Sequence, residues 1–255
     1  MTDFQELHGR KAGSWAVRDS DAHGREVRSM FARISGGYDF MNHFLSLNRD
    51  KAWRRNVVAR LDHDVWEFLD LCSGTCDLAL ACRSGGRGRN WIAADFCPEM
   101  LMGARGKEGA EALAPTAADA MNLPFRPRSV DAVTVGFGVR NFADVRRGLE
   151  EIVRVLRPGG QFMVLEFYRD DRAADGEGRG VPGILRFGLN TLIPLLGKLV
   201  GRDHAAYSYL PSSMGEFLTP EEFRLLLAEY GFVDTFVERQ TFGIAHIVGG
   251  RLEND

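Results

Sequence analysis

Val65-Trp66-Glu67-Phe68-Leu69-Asp70-Leu71-Cys72-Ser73-Gly74-Thr75-Cys76-Asp77 is the stretch on which the reading of this chain turns. An apolar run of strand length ends in small residues flanked by acids, and Leu78 to Cys82 then reads as helix. Strand, tight turn and helix in that order open a βαβ unit, and open α/β sheets bind ligands in the crevice at the carboxyl ends of such strands. Small side chains in the turn let the backbone approach a ligand closely. A dinucleotide fingerprint would read G-x-G-x-x-G, which this turn does not. Asp70 at the strand end would repel a pyrophosphate and attract an amino group or a sulfonium.

The same alternation continues outward. Asn90 to Asp95 reads as a second strand, and its final acid stands roughly 20 residues past the turn, where a carboxylate accepts ribose hydroxyls in Rossmann-like sites. Pro98 opens a helix. Pro115 to Asp119 is a weak third strand, Val130 to Gly136 a clear fourth, and Val145 to Leu156 a helix with Leu149, Ile152, Val153 and Leu156 on one face. Arg157-Pro158-Gly159-Gly160 reads as a turn before a fifth strand, Gln161 to Phe167. An exposed loop from Arg169 to Gly180 and an apolar segment from Ile184 to Val200, broken by Pro194 and Gly197, follow. Thr219-Pro220-Glu221-Glu222 starts a helix with Pro at N1, and Phe232 to Val237 with Phe242 to Val248 read as an antiparallel hairpin. Upstream, residues 1–25 are a loose polar arm. Val27, Met30, Phe31 and Ile34, then Tyr38, Met41, Phe44 and Leu45, fit amphipathic helix broken at Gly36-Gly37.

Composition narrows the classes. The 255 residues are 45% hydrophobic and 26% charged, which excludes a disordered, collagenous or coiled-coil chain. A net charge of −3 argues against a nucleic-acid binder. Glycine, 29 residues, is in excess and points to tight turns or close ligand approach. Cys72, Cys76, Cys82 and Cys97 crowd into one stretch, and Met1 to Glu6 shows no signal-peptide start, so a reducing, cytoplasmic setting is expected. The cysteine spacings match neither zinc pairs nor an iron–sulfur run; they read as small buried residues, and no metal is expected. No apolar stretch is long enough to span a bilayer.

The turn at Asp70–Asp77, Asp95, Asp119 and Arg157-Pro158-Gly159-Gly160 together resemble the S-adenosylmethionine-dependent class I methyltransferases. More specifically, the chain resembles the UbiE/MenG family of quinone-biosynthesis C-methyltransferases over roughly residues 27–248. The carriers are Met30 to Ile34 with Tyr38-Asp39 and Asn42; Leu69 to Leu80; Asp95-Phe96 with Pro98 and Met100-Leu101; Asp119-Ala120 with Leu123-Pro124-Phe125; Gly136-Phe137-Gly138-Val139-Arg140-Asn141; Leu165-Glu166-Phe167; Pro194 to Gly197; and Tyr207 with Tyr209 to Ser213. The resemblance implies a Rossmann-like α/β sheet, mostly parallel with the last strand antiparallel. It also implies a helical cap at 26–60, a methyltransferase domain at 61–255 and an acceptor lid at about 181–218. For the cofactor it implies S-adenosylmethionine: Gly74 and Thr75 cradling the methionine part, Asp95 on the ribose, Asp119 and Ala120 at the adenine, Gly136 near the sulfonium and Tyr38 closing over, with Asp70 and Phe96 also among the cofactor-binding residues. Arg140 and Asn141 would face the acceptor ring; His204, Tyr207 and Tyr209 would belong to the lid. The family usually has glycine where Cys76 stands and a smaller residue where Cys72 stands, so Cys76 takes room beside the cofactor and resists φ > 0.

Methylating a ring carbon needs an electron-rich ring, hence a hydroxyl that loses its proton, and a phenol has a pKa near ~10. Arg140, always charged, would stabilise the phenolate with Asn141 orienting it; the structural alternative is a loop arginine paired with Asp144. His43, His63, His204 and His246 are the remaining base candidates. The reaction expected is methyl transfer to a prenylated quinol, demethylmenaquinol to menaquinol first. A class I methyltransferase of another small acceptor, or a silent methyltransferase-like binding protein, are the alternatives. The expected partners are the quinol and, through Ile184 to Val200, the inner face of a membrane; a homo-oligomer stays open and nucleic acid is not expected.

Overall fold

A computed structural model describes residues 20–169 and 217–254. One seven-stranded sheet organises them in the order β3-β2-β1-β4-β5-β7-β6. β1 (Glu67–Leu71) lies between β2 (Asn90–Asp95) and β4 (Val130–Gly136), parallel to both. β3 (Leu113–Ala117) forms one edge, and β5 (Leu156–Glu166) continues the parallel array beside β4. β7 (Ala245–Leu252) runs antiparallel to β5 and to β6 (Phe232–Gln240), which is the far edge. The strand order reverses at β1/β4, the switch point where open sheets leave a crevice.

Helices cover both faces, which is why the β4 residues Val130, Ala132, Val133 and Val135 are all buried instead of alternating. On one face, α6 (Val145–Val155) and α7 (Pro220–Glu229) pack Leu149, Ile152, Phe223 and Leu227 against the sheet. On the other, α3 (Arg49–Arg60) and α4 (Asp77–Ser84) contribute Trp53, Val57, Leu78 and Cys82. Caps set the helix starts. Asp144 accepts the Arg147 N–H at 3.0 Å, and Thr219 and Glu222 close a reciprocal capping box before α7.

Several boundaries differ from the sequence expectation for local reasons. α1 (Ser20–Ile34) begins inside the stretch read as a polar arm. Its apolar residues Met30 and Ile34 anchor the carboxyl half, and adding turns to an existing helix costs little. A 3-10 turn at Ser35–Gly37 then breaks the chain before α2 (Tyr38–Leu45), as the glycine pair predicts. β3 lies two residues earlier than expected, with Leu113 buried, so Asp119 falls in the turn beyond it; Pro115 is tolerated because β3 is an edge strand. The Arg157–Gly160 segment is absorbed into β5: Leu156 pairs with Val130, and the register shifts before Ala132 pairs with Gln161. The closing hairpin is antiparallel as expected but longer, its strands joined across Thr241–Gly243. Most of the expected arm and of the lid, with His204, Tyr207 and Tyr209, lies outside the described residues. Among the described residues, no helix is long and apolar enough to cross a membrane.

Candidate active site

The site begins where β1 ends. Cys72 (φ 54), Gly74 (φ 55) and Cys76 (φ 66) all adopt left-handed backbone within five residues, which folds the turn into a shallow cradle. Glycine takes that conformation freely, whereas a residue with a Cβ loses about 1–2 kcal/mol. Cys76 therefore does what its chemistry resists, held by its N–H on the Ser73 carbonyl at 2.8 Å.

Asp70 braces the cradle from beneath. It is fully buried and accepts the Ser73 hydroxyl at 2.6 Å, the Thr134 hydroxyl at 2.6 Å and the Ala79 N–H at 3.2 Å, so one carboxylate joins β1, β4 and the start of α4. Burial pushes its pKa up to about 6, against the pull of those two hydroxyls and the amide. The sign for stability follows: the native state binds this proton more tightly than the unfolded chain, so Asp70's contribution to stability falls as pH rises from about 4 to about 6. Asp70→Asn is expected to remove that decline, on the order of 3 kcal/mol. Urea unfolding across this pH range checks it; an unchanged pH slope contradicts it.

Asp95 closes the cradle from the side. Its two oxygens each accept one backbone N–H, from Gly74 and from Cys97, both at 2.8 Å. Burial raises its pKa, and the two amides oppose that rise. A carboxylate oxygen has two lone pairs, so one on each oxygen remains for a vicinal diol. The Asp119 side chain accepts the Met121 N–H at 2.9 Å, which orders the turn carrying buried Ala120, and the Ala118 N–H donates to the Asp95 carbonyl at 3.0 Å. Phe96 stands exposed with its ring against Gly24 of α1, on the cap side of the β2 end.

An open cleft of about 400 Å³, counting solvent at its mouth, is lined by Tyr38, Asn42, Arg54, Asp70, Cys72, Ser73, Gly74, Thr75, Asp77, Leu78, Gly136, Phe137 and Leu165. Five predicted cofactor residues thus meet in one place: Tyr38, Asp70, Gly74, Thr75 and Gly136. Asp95 joins them through Gly74, whereas Phe96, Asp119 and Ala120 extend along the β2–β3 side. The Tyr38 ring lies over Gly74, where a Cβ would come within 3.9 Å of it, and packs edge-on against Phe31 with centroids 6.0 Å apart.

An ion network that the sequence did not disclose ties the cap to the cradle. Lys107 Nζ reaches Asp39 at 2.6 Å, Asp77 at 2.6 Å and the Thr75 carbonyl at 2.9 Å. Thr75 in turn donates its hydroxyl to Asp39. Arg54 joins Asp77 at 3.2 Å to Asp50, which also accepts from Ser46 and pairs with His43. Burial would raise the Asp50 pKa, but the Ser46 hydroxyl and the Arg54 guanidinium outweigh it and hold the carboxyl low. Lys107 sits in a glycine-rich stretch with no periodicity, so its role had no local signal.

Arg140 follows β4 on the 3-10 turn Val139–Asn141 and is 7% exposed. Its partner is not Asp144, which caps α6 instead. Arg140 forms a salt bridge with Glu166, the fully buried last residue of β5, and donates to the Phe137 carbonyl at 2.9 Å. Burial raises the Glu166 pKa, and Arg140 opposes the rise. Asn141 is half-buried beside it. The base candidates disperse: His43 pairs with Asp50, His63 with Arg87, and burial beside Arg239 depresses His246 to about 4. Cys76, Cys82 and Cys97 are buried, and burial raises their thiol pKa values, to about 11 for Cys76 and Cys97, so they behave as small apolar residues.

Cys72 also explains Gly138. A Cβ on Gly138 would lie 2.5 Å from the Cys72 Cβ. Gly138→Ala is expected to destabilise the protein by about 1–3 kcal/mol through overpacking, and adding Cys72→Gly should recover much of the loss. Chemical denaturation of the single and double variants measures this coupling; additive effects would contradict it.

The sequence profile of the ubiE/COQ5 methyltransferase family matches residues 19–251. A demethylmenaquinone methyltransferase of Thermus thermophilus is 41% identical over 226 residues, 87% of this chain and 100% of that protein. A demethylmenaquinone methyltransferase of Deinococcus radiodurans is 38% identical, covering 90% and 93%. A ubiquinone/menaquinone biosynthesis C-methyltransferase of Geobacter sulfurreducens is 36% identical, covering 89% and 88%. Among solved structures, a Haloferax volcanii putative methyltransferase in complex with the Trm112 activator superposes with a TM-score of 0.61 at 19% identity, covering 88% of this chain and 98% of that one. A putative S-adenosylmethionine-dependent methyltransferase of Methanococcus maripaludis gives 0.60 at 16% identity, covering 88% and 94%. These two share the fold, and the profile together with the relatives places the chain: it belongs to the ubiE/COQ5 methyltransferase family.

Proposed function

We propose that this methyltransferase moves the methyl group of S-adenosylmethionine to a ring carbon of a prenylated quinol, converting demethylmenaquinol to menaquinol. The observation that carries the reading is similarity over most of the chain to proteins named for that reaction, joined to a buried arginine beside the cleft. The donor set fits the cofactor: a cradle of left-handed residues, an acid with two free lone pairs at the β2 end, and an aromatic ring over the cradle.

Bound there, S-adenosylmethionine supplies an electrophilic methyl group. Gly74 and Thr75 hold its amino-acid end, Asp95 its ribose, Asp119 and Ala120 border its base, and Gly136 leaves room because a Cβ would crowd Leu78 at 3.2 Å. Tyr38 excludes water above the cradle. Arg140 lies within the dry β4–β5 end, where a fixed positive charge acts far more strongly on a developing phenolate than it would in water. Asn141 orients the ring, and proximity in a closed site supplies the rest.

A substrate with a prenyl tail resides in a bilayer, so the protein works in the cytoplasm against the inner membrane face. Exposed Phe40, Phe44 and Leu47, next to exposed Arg49, Lys51 and Arg55, supply an apolar and basic surface for that contact. Assays with S-adenosylmethionine and two short-tailed acceptors test the substrate: a prenylated demethylnaphthoquinol should be methylated at least tenfold faster than a prenylated benzoquinol. Methylation of neither removes the reading; equal rates remove its choice of ring.

A further inference from the structure

Among the described residues, four buried side-chain atoms have no hydrogen-bond partner, and three of them belong to residues around one carboxylate. They are Arg140 Nε, the Tyr168 hydroxyl and His246 Nδ1, and the carboxylate is Glu166. Arg140 is ion-paired with Glu166. His246 is the cross-strand partner of Glu166 on β7, and directly opposed residues point to the same face. Tyr168 follows Glu166 by two positions, and its ring stands edge-on to the His246 ring at 6.0 Å and 83°. Phe217 and Phe223 flank the Tyr168 ring at 5.6 and 5.7 Å.

Buried donors left unpaired are costly, and native proteins keep few of them without a ligand, ion or water to satisfy them. Three such atoms on residues joined to Glu166 by ion pair, by strand register and by sequence call for atoms from outside the chain. Their chemistry specifies those atoms. Arg140 Nε only donates, so it needs an oxygen or another acceptor. The tyrosine hydroxyl gives one hydrogen bond and takes others, and neutral His246 offers one donor and one acceptor nitrogen. Aromatic rings form the surroundings. A planar ring bearing oxygens matches that set.

We propose that Tyr168 and His246 bind and orient one oxygen of the acceptor ring, while Arg140 Nε meets another; this rests on the quinol reading above. A ring held at both oxygens has one rotation left to it in the site, which determines which ring carbon faces the methyl donor.

Tyr168→Phe removes the hydroxyl alone. Three measurements on the full chain read it: thermal stability without acceptor, KM and kcat for a short-tailed demethylnaphthoquinol, and S-adenosylmethionine affinity. The expected result is a melting temperature unchanged or raised, KM up about tenfold, a smaller change in kcat, and unaltered cofactor affinity. His246→Leu, which removes both ring nitrogens at similar bulk, should also raise KM more than it lowers kcat. A lowered melting temperature for Tyr168→Phe with unchanged KM would mean that an internal water satisfies the hydroxyl, and overturns the proposal. If wild-type protein methylates the quinol and neither variant moves KM, the proposal alone falls. If wild-type protein does not methylate the quinol at all, the functional reading falls and this proposal with it.

Discussion

Asp95→Ala should weaken S-adenosylmethionine binding by at least 100-fold, as read by calorimetric titration. The carboxylate has two tasks. It accepts the Gly74 and Cys97 amides, which holds the cradle beside the β2 end, and in the proposed function its remaining lone pairs take the ribose hydroxyls. Each hydrogen bond to a charged group contributes about 1.5–3 kcal/mol, so losing two to the ligand removes ~3 kcal/mol or more, which is two decades in Kd. The substitution also strands two backbone N–H groups, so the melting temperature should fall by several degrees. Asp95→Asn separates the two tasks. Its amide keeps one acceptor for a backbone N–H but turns a donor toward the other, so loss of affinity should be intermediate. A Kd within threefold of wild type for Asp95→Ala would place the ribose elsewhere.

Arg140→Ala should lower kcat by 100- to 1,000-fold, the range seen when one preorganised electrostatic group is lost from an active site, while S-adenosylmethionine affinity stays within twofold. The same variant leaves Glu166 buried without its cation. Breaking a buried pair from one side costs about 3–5 kcal/mol, and here the cost is limited by protonation, because burial already raises the Glu166 pKa. The stability defect of Arg140→Ala should therefore shrink as pH falls, since a neutral Glu166 needs no partner. Arg140→Met combined with Glu166→Leu replaces the pair with apolar bulk and should recover stability without recovering turnover. Denaturation at two pH values and a single-turnover methylation assay read both effects. Near-wild-type turnover by Arg140→Ala would assign the arginine to structure alone.

Much of the architecture was legible because it is written in short range. Apolar runs of strand length alternating with helical spacing make a mainly parallel sheet almost unavoidable, and Val130 to Gly136 shows no polar alternation because both of its faces are covered. Asp95 was legible for the same reason, since a βαβ unit has a narrow length and the acid at its second strand end falls at a predictable distance from the turn. Strand ends were less legible. Pro115 obscured the edge strand, and the Arg157–Gly160 turn belonged to β5 because Leu156 found a partner in Val130.

The sequence by itself determined the α/β alternation, the turn between β1 and α4, the acid at the β2 end and the break between the first two helices, all of which follow from backbone periodicity and turn chemistry within about 30 residues. Only the tertiary structure decided that Arg140 faces Glu166 and not the nearer Asp144, that Lys107 and Arg54 bind the cap to the cradle, and that Tyr168 and His246 come together beside that same glutamate. Each of these contacts depends on which strand ends and loops become neighbours. That is set by the order β3-β2-β1-β4-β5-β7-β6 and by packing of the cap, and a charge or a phenol carries no mark in the sequence of the partner it will meet across the sheet.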